Sequence, residues 1–332
     1  MSNSLISSDI DFEAKGKHTG FLRLPHSVHR SAYGRILMPI VVFNNGDGPT
    51  TMLMAGNHGD EYEGQIALSK LSRELEAQDI QGRLIILPMA NFPAAQAGRR
   101  TSPLDDGNLN RAFPGEPHGT PTQMIAHYIE AELLPMCDYF FDFHSGGSSL
   151  YYPATLLRGL GHSAKESAKL IELQAAFDAP YAWVFTSGGG RGSTARTAMG
   201  GGNRQGAITL MAELGGGGAV SPDILALTER GIKRLIHATG MLPAYVPDKA
   251  NGTREMTIVD TVTAYDNGLF EPYFAVEDEV KKGEAAGAIH FPETPWRAPI
   301  LLEFQQGGMV LCQRVPGLVE RGDCLFQVAN DL

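Results

Sequence analysis

His58 and Glu61 stand in H-x-x-E spacing within the run Gly56-Asn57-His58-Gly59-Asp60-Glu61, which closes a short apolar stretch, Thr51-Met52-Leu53-Met54-Ala55. An imidazole and a carboxylate three residues apart on a turn can both point at one ion, and this donor pair suits Zn2+. In a chain with 10 histidines, chance could supply the pair. Two further apolar runs raise its value. Tyr139-Phe140-Phe141-Asp142-Phe143 ends in His144-Ser145-Gly146-Gly147, and Ala207-Ile208-Thr209-Leu210-Met211-Ala212 ends in Glu213-Leu214-Gly215-Gly216. Three strand ends, each closing on a metal-competent or acid/base residue, make a constellation rather than a single motif.

Two imidazoles and one carboxylate (His58, His144 and Glu61) leave a tetrahedral Zn2+ with an open fourth position for water. That is the catalytic arrangement, since structural zinc sites are closed, usually by thiolates. Such an ion lowers the pKa of its water toward neutrality and polarises a carbonyl. The site still needs a carboxylate that is not a ligand, to take the water's proton and hand it to the leaving amine. Glu213 is the best candidate, although alone it would read as a capping or salt-bridging glutamate. A long loop carries Asn108-Leu109-Asn110-Arg111-Ala112-Phe113-Pro114-Gly115, preceded by Arg99-Arg100. The Arg111 fork matches a substrate carboxylate bidentately, and the Asn110 amide beside it adds a donor. Arg100 either helps to stabilise an oxyanion or sits in water. Asp60 and Glu63 flank the metal turn and read as supporting or solvated groups.

The elements that must position these residues follow from periodicity. From about 35 to 240, apolar runs at 36–43, 51–56, 84–90, 138–143, 181–186 and 207–213 alternate with helical patterns at 62–76, 121–134, 162–178 and 221–239. Thr120-Pro121 and Ser221-Pro222-Asp223 place a cap residue before a proline at the first helical position. The alternation predicts an α/β domain over 1–245 with a largely parallel sheet covered on both faces. Ligands of such sheets sit at the carboxyl ends of the strands, where His58, Glu61, His144 and Glu213 all fall. Residues 91–120 form a long connection without periodicity, of the kind that tends to be functional. Beyond a Pro- and Gly-marked stretch at 243–256 come short strands and turns without a long helix, predicting a small β domain over 255–332. Glycine is in excess, at 39 of 332 residues, and clusters at 188–192, 200–202 and 215–218. The last cluster, close behind Glu213, predicts backbone at positive φ or in close approach to a ligand.

The formal net charge of -10, with no Lys/Arg block, argues against a nucleic-acid or anionic-membrane surface. Cys137, Cys312 and Cys324 are odd in number and lack C-x-x-C spacing, so they read as buried thiols in a reducing compartment. The N-terminal residues lack a signal-peptide pattern and no run reaches membrane-span length, which makes cytoplasmic location the expectation. Self-association is left open.

The motifs G-N-H-G-D-E, N-L-N-R-x-F-P-G, D-F-H-S-G-G and E-L-G-G-G-G, in this order, resemble the succinylglutamate desuccinylase/aspartoacylase family. The resemblance implies a zinc amidohydrolase on the metallocarboxypeptidase α/β fold, with an added C-terminal β domain. It implies His58, Glu61 and His144 as ligands of one Zn2+ per chain, Glu213 as general base and acid, and Asn110-Arg111 as the clamp on the substrate carboxylate. Family members split an N-acyl amino acid into a carboxylate and a free amine. The opening His18-Thr19-Gly20-Phe21-Leu22, the turn at 57–64 and the loop from Arg100 to Gly115 look most like the ectoine-degradation branch, which deacetylates Nα-acetyl-2,4-diaminobutyrate. The chain departs from that branch at Ser148-Ser149-Leu150-Tyr151-Tyr152 and over 182–194, two segments expected to line the pocket. The C-terminal part resembles a biotinyl/lipoyl-type fold, with paired turns at 280–284 and 319–323. The hairpin between them, 290–297, has no acceptor lysine, so a wall of the active-site cleft is expected in place of a carrier. Two rivals stand beside the deacylase: a metallocarboxypeptidase-type peptidase, which shares fold and metal site, and a non-catalytic metabolite-binding protein.

Overall fold

The computed structural model describes residues 3–185 and 194–332. Before the linker lie strands β1 (Ser7–Ser8), β2 (Gly16–Pro25), β3 (Arg35–Asn44), β4 (Thr50–Ala55), β5 (Arg83–Leu87), β6 (Tyr139–His144), β7 (Leu150–Arg158), β8 (Tyr181–Val184) and β9 (Ile208–Gly216). The helices are α1 (Tyr62–Glu74), α2 (Phe92–Ala97), α3 (Pro121–Tyr128), α4 (Ala164–Phe177), α5 (Ala198–Gln205) and α6 (Pro222–Ala238). After the linker come β10 (Arg254–Thr263), β11 (Gly268–Pro272), β12 (Glu279–Val280), β13 (Ala285–His290), β14 (Ile300–Glu303), β15 (Gly308–Arg314), β16 (Leu318–Val319) and β17 (Cys324–Asp331).

The capping signals do their work. Thr120 and Gln123 form a capping box at the start of α3, and the Ser221 side chain accepts from the Ile224 amide at the start of α6. Such caps satisfy amides that have no partner within the helix. The helix expected over 121–134 ends at Tyr128 and continues as a π-helical turn, Ile129–Leu133, and a 3-10 turn, Leu134–Met136. Pro135, which has no amide to donate, ends the run. Three elements lay outside the periodic pattern. β2 buries only two of its ten side chains, so it shows no apolar run. β7 is interrupted by Pro153. α5 (AMGGGNRQ) is built on three glycines, poor helix formers overruled by packing. A Cβ on Gly202 would lie 2.6 Å from Thr209 Oγ1 and 2.9 Å from a Phe140 ring carbon. The cluster at 200–202 is therefore a tight helix-on-sheet contact, whereas 188–192 lies outside the described residues.

Thirteen strands form one sheet in the order β1-β2-β3-β5-β4-β6-β9-β7-β8-β10-β17-β15-β12. The expectation of a largely parallel sheet holds only for its centre. β5-β4-β6-β9 are parallel, as are β7-β8 and β8-β10, while the remaining pairings are antiparallel. The parallel centre comes from helical crossovers, whereas most antiparallel neighbours, such as β3 with β5, β7 with β9 and β10 with β17, are brought together from separate parts of the chain. Alternation along β4 sends Leu53 and Ala55 to a core shared with α1, α4 and α6, and Met52 and Met54 to one shared with α3 and α5. The parallel register sets Ala55 beside Phe143 and His144 beside Glu213, so the chemistry-bearing residues share one end of the sheet.

The C-terminal β domain continues this sheet. β10 pairs in parallel with β8 at Arg254↔Tyr181, and β15 pairs with β7 at Gln313↔Tyr151. A second sheet, β14-β13-β11-β16, closes over a core that includes Phe270, Phe304 and Phe326. The turns at 280–284 and 319–323 repeat one geometry. Lys281 N donates to Glu284 Oε2 at 2.9 Å, and Glu320 N to Asp323 Oδ2 at 2.9 Å. The linker is tied to the first domain by Asp178, whose carboxylate accepts from Asn251 N at 2.7 Å and Gly252 N at 3.2 Å. Among the described residues the cysteines form no disulfide; Cys137 and Cys312 are buried as expected, Cys324 is only half-buried, and burial pushes Cys137 up to about 12. Among the described residues no helix is long and apolar enough to cross a membrane.

Candidate active site

The turn after β4 is held in place by its own sequence. Gly56 leaves the strand at φ 67°, and a Cβ on Gly59 would fall 2.0 Å from the Ala94 carbonyl carbon, so α2 can cross the turn only over glycine. On the other side, α1 packs so closely that a Cβ on Gly64 would lie 2.7 Å from Phe143 Cβ. Polar side chains complete the bracing. Asn57 Nδ2 donates to Asp142 Oδ2 at 3.0 Å, and Asp60 Oδ2 accepts from Ser148 N at 2.8 Å and Ser148 Oγ at 2.7 Å. Glu63 Oε1 accepts from Ser221 N at 3.1 Å. Asp60 and Glu63 are thus buried braces between loops, not solvated groups.

His58, Glu61 and His144 are all buried, and one ligand atom from each lies within 4.8 Å of the others. The proton positions can be worked out from the partners. His58 Nε2 faces Asn108 Oδ1 at 3.1 Å, and His144 Nε2 faces Asp142 Oδ2 at 2.8 Å. Both partners are acceptors, so in each neutral ring the proton sits on Nε2 and Nδ1 carries a bare lone pair. Those two Nδ1 atoms approach opposite oxygens of one carboxylate: His58 Nδ1 lies 2.7 Å from Glu61 Oε1 and His144 Nδ1 lies 2.8 Å from Glu61 Oε2. Acceptor facing acceptor at these distances is repulsive unless a proton or a cation lies among them, and the Arg100 guanidinium beside His58 and a proton on His144 can both answer it. The donor set of two imidazoles and a carboxylate fits a divalent metal.

The electrostatics follow from the same contacts. Burial alone would raise the Glu61 carboxyl, but the His58 and His144 charges and hydrogen bonds outweigh it and hold it below the usual carboxylate range. Burial lowers His58 despite Glu61 beside it. Burial also works against the charged form of His144, but Asp142 and Glu61 override it and raise its pKa. Glu213 is pushed up to about 8, first by burial and then by the negative charge of Glu61. Its Oε2 is enclosed and has no hydrogen-bonding partner among the described residues.

The arginines converge on the same place. Arg100 Nη1 lies 3.3 Å from His58 Nδ1 and 3.6 Å from Glu61 Oε1. Arg111 is lowered by burial and by the charges of Arg100 and Arg196, and is raised by Glu213. Asn110 is buried, and its Oδ1 is committed to the Ala198 amide at the start of α5, at 2.9 Å. Only its Nδ2 remains for a ligand. The structure therefore brings together His58, Glu61, His144, Glu213 and Arg100, sets Arg111 within electrostatic reach of Arg100 and Glu213, and ties the Asn110 side chain to α5.

Sequence reasoning missed four residues. Asp142 sits two positions before His144, on the same side of β6, and Asn57 precedes His58; period-two alternation could have signalled Asp142. Asn108 and Arg196 gave no such signal. Of the two segments expected to line the pocket, Tyr152 turns away, its hydroxyl donating to Gln327 Oε1 at 2.9 Å. Trp183 packs on the junction cluster of Tyr152, Met256 and Leu311, and 186–193 lies outside the described residues. From the C-terminal domain, Val315 reaches the glycine run behind Glu213. Its methyl carbons lie 3.5 and 3.7 Å from where a Cβ on Gly217 would stand. Gly215, Gly216, Gly217 and Gly218 all have positive φ, as the clustering after Glu213 predicts.

Comparison with known proteins places this arrangement. The sequence profile of the succinylglutamate desuccinylase/aspartoacylase catalytic domain matches residues 47–239. The N-alpha-acetyl-L-2,4-diaminobutyric acid deacetylase of Halomonas elongata is 40% identical over 330 residues, covering 98% of this chain and 95% of that protein. A crystal structure of a succinylglutamate desuccinylase/aspartoacylase from Rhodobacter sphaeroides superposes with TM-score 0.92 at 38% identity, covering 99% of this chain and 100% of the other. The product-bound structure of the ectoine utilization protein EutE (DoeB) from Ruegeria pomeroyi gives TM-score 0.93 at 35% identity, with the same coverage of 99% and 100%. With a matching catalytic profile and full-length relatives, the chain belongs to the succinylglutamate desuccinylase/aspartoacylase family.

Proposed function

We propose that this chain is a zinc-dependent deacylase of N-acyl amino acids, and that Nα-acetyl-2,4-diaminobutyrate is its substrate. The observation that carries the reading is the buried His58-Glu61-His144 group, whose two Nδ1 atoms face opposite oxygens of one carboxylate, with the enclosed Glu213 Oε2 alongside. The name of the Halomonas elongata relative supports the choice of substrate. One Zn2+ held by His58, Glu61 and His144 would polarise the amide carbonyl and lower the pKa of the attacking water. Glu213 Oε2 takes the proton from that water and returns it to the amine nitrogen as the C–N bond breaks. Arg111, with the free Nδ2 of Asn110, holds the substrate carboxylate. Arg100, half-exposed beside His58, faces the charge that develops on the carbonyl oxygen. The C-terminal domain, through Val315, walls the cleft behind Glu213. The net reaction adds water across the amide and yields a carboxylate and a free amine.

The test is hydrolysis of a panel of acetyl, succinyl and formyl amino acids by zinc-loaded protein, with acetyl-diaminobutyrate and acetyl-aspartate compared directly. Turnover of acetyl-diaminobutyrate that stops on chelation and returns with zinc is the expected result. Release of amino acids from peptides, with no action on any acyl amino acid, would overturn the reading in favour of a peptidase. In the same assay Arg111→Ala should raise KM about 10- to 100-fold, the loss of a charge-assisted hydrogen-bonded pair, with bound metal unchanged.

A further inference from the structure

The two histidines of the metal group are held by unlike partners. His144 Nε2 meets the carboxylate of Asp142, a fully buried residue within β6, at 2.8 Å, and the same oxygen is steadied by Asn57 Nδ2 at 3.0 Å. Among the described residues His58 Nε2 meets only the neutral amide oxygen of Asn108, at 3.1 Å, and Asn108 lies on the long loop rather than on a strand. A hydrogen bond to an ionised acceptor is roughly twice as strong as one to a neutral acceptor. An outer partner also sets the orientation and basicity of a ligating imidazole. His144 is therefore the fixed donor and His58 the adjustable one.

Asn108 is also coupled to the substrate clamp. It caps the 3-10 turn Leu109–Arg111, and Arg111 N donates to Asn108 O at 3.0 Å. Leu109 and Phe113, buried on either side of Arg111, anchor the turn in the core. Asn110 ties it to α5 through Ala198 N. The segment from Asn108 to Arg111 thus behaves as one short rigid piece, with a substrate-facing guanidinium at one end and the partner of a metal ligand at the other.

From this arrangement we infer that Asn108 is a positioning residue, which sets the orientation and donor strength of His58 and links it to the carboxylate clamp at Arg111. The inference rests on the metal-centre reading above. It separates two effects that a merely structural asparagine would not: Asn108→Ala acts on the metal and on kcat, while Arg111→Ala acts on KM.

The experiment uses metal-stripped full-length protein titrated with Co2+ and Zn2+ under chelator competition, with the Co2+ absorption spectrum recorded for wild type, Asn108→Ala, Asn108→Asp and Arg111→Ala. Asn108→Ala is expected to weaken metal binding about 10- to 100-fold, to shift the Co2+ bands and to lower kcat. Asn108→Asp, which supplies an ionised acceptor in nearly the same shape, is expected to restore or tighten binding. Arg111→Ala should leave the Co2+ spectrum as in wild type. If wild type binds one metal while Asn108→Ala and Asn108→Asp match it in affinity and spectrum, the inference is overturned and the deacylase reading stands. If wild type binds no metal stoichiometrically, the deacylase reading falls and the inference falls with it.

Discussion

His144→Ala loses stoichiometric metal and, with it, deacylase turnover. In the proposed centre the ring it removes is one of three donors, and it also separates two buried carboxylates, Asp142 and Glu61. Losing the metal forfeits several kcal/mol of transition-state stabilisation, so activity should fall about a thousandfold or more. The remaining carboxylates lose their shared partner, and breaking a buried charge pair costs about 3–5 kcal/mol of stability. Metal analysis of the purified variant, an activity assay and a urea titration check the three parts separately. Full activity in zinc-free His144→Ala would refute the metal centre outright.

Glu213→Gln has the opposite profile. The amide keeps the shape of the carboxyl but cannot accept the water's proton, so metal content stays at the wild-type level while kcat drops about 10²- to 10⁴-fold. The pH dependence follows from the same group. Glu213 is pushed up to about 8 by burial and by Glu61, and as the proposed base it must be ionised. Activity must therefore fall as pH drops through its folded pKa, and a bound cation, favouring the charged form, moves that limb below 8. The stability sign is the reverse. A raised carboxyl stabilises the metal-free fold at acid pH and loses that contribution as pH climbs toward about 8. Loss of zinc from Glu213→Gln would instead make Glu213 a ligand.

The centre of the site was legible because it rests on strand ends. The β4, β6 and β9 runs are continuous apolar stretches, and register alone sets His144 beside Glu213. The braces were less legible because their partners are distant in sequence. Nothing local shows that Asn57 meets Asp142 or that Asp60 reaches Ser148. The same holds for Asn110, whose Oδ1 binds an amide of a glycine-rich helix that no propensity argument would predict. The antiparallel flanks escaped notice because β2 alternates with weak burial and β7 carries a proline. The antiparallel partners there, such as β7 with β9, are not consecutive in the chain, so no local pattern reveals their direction.

The pairing of β8 with β10 has a consequence for the chain as a physical object. A strand that ends a sheet presents a row of unpaired amides and carbonyls, a template on which other chains can add. β10 lies along β8, and β15 pairs with the start of β7, so the C-terminal domain shields hydrogen-bonding edges of the catalytic sheet. Its residues Met256, Met309 and Leu311 also pack on Tyr152 and Trp183. A fragment stopping at the linker would keep every residue of the metal group yet carry a bare, sticky edge. Such a fragment should precipitate or self-associate on size-exclusion chromatography where the full chain does not, and a stable, monomeric fragment would show that the shielding is dispensable.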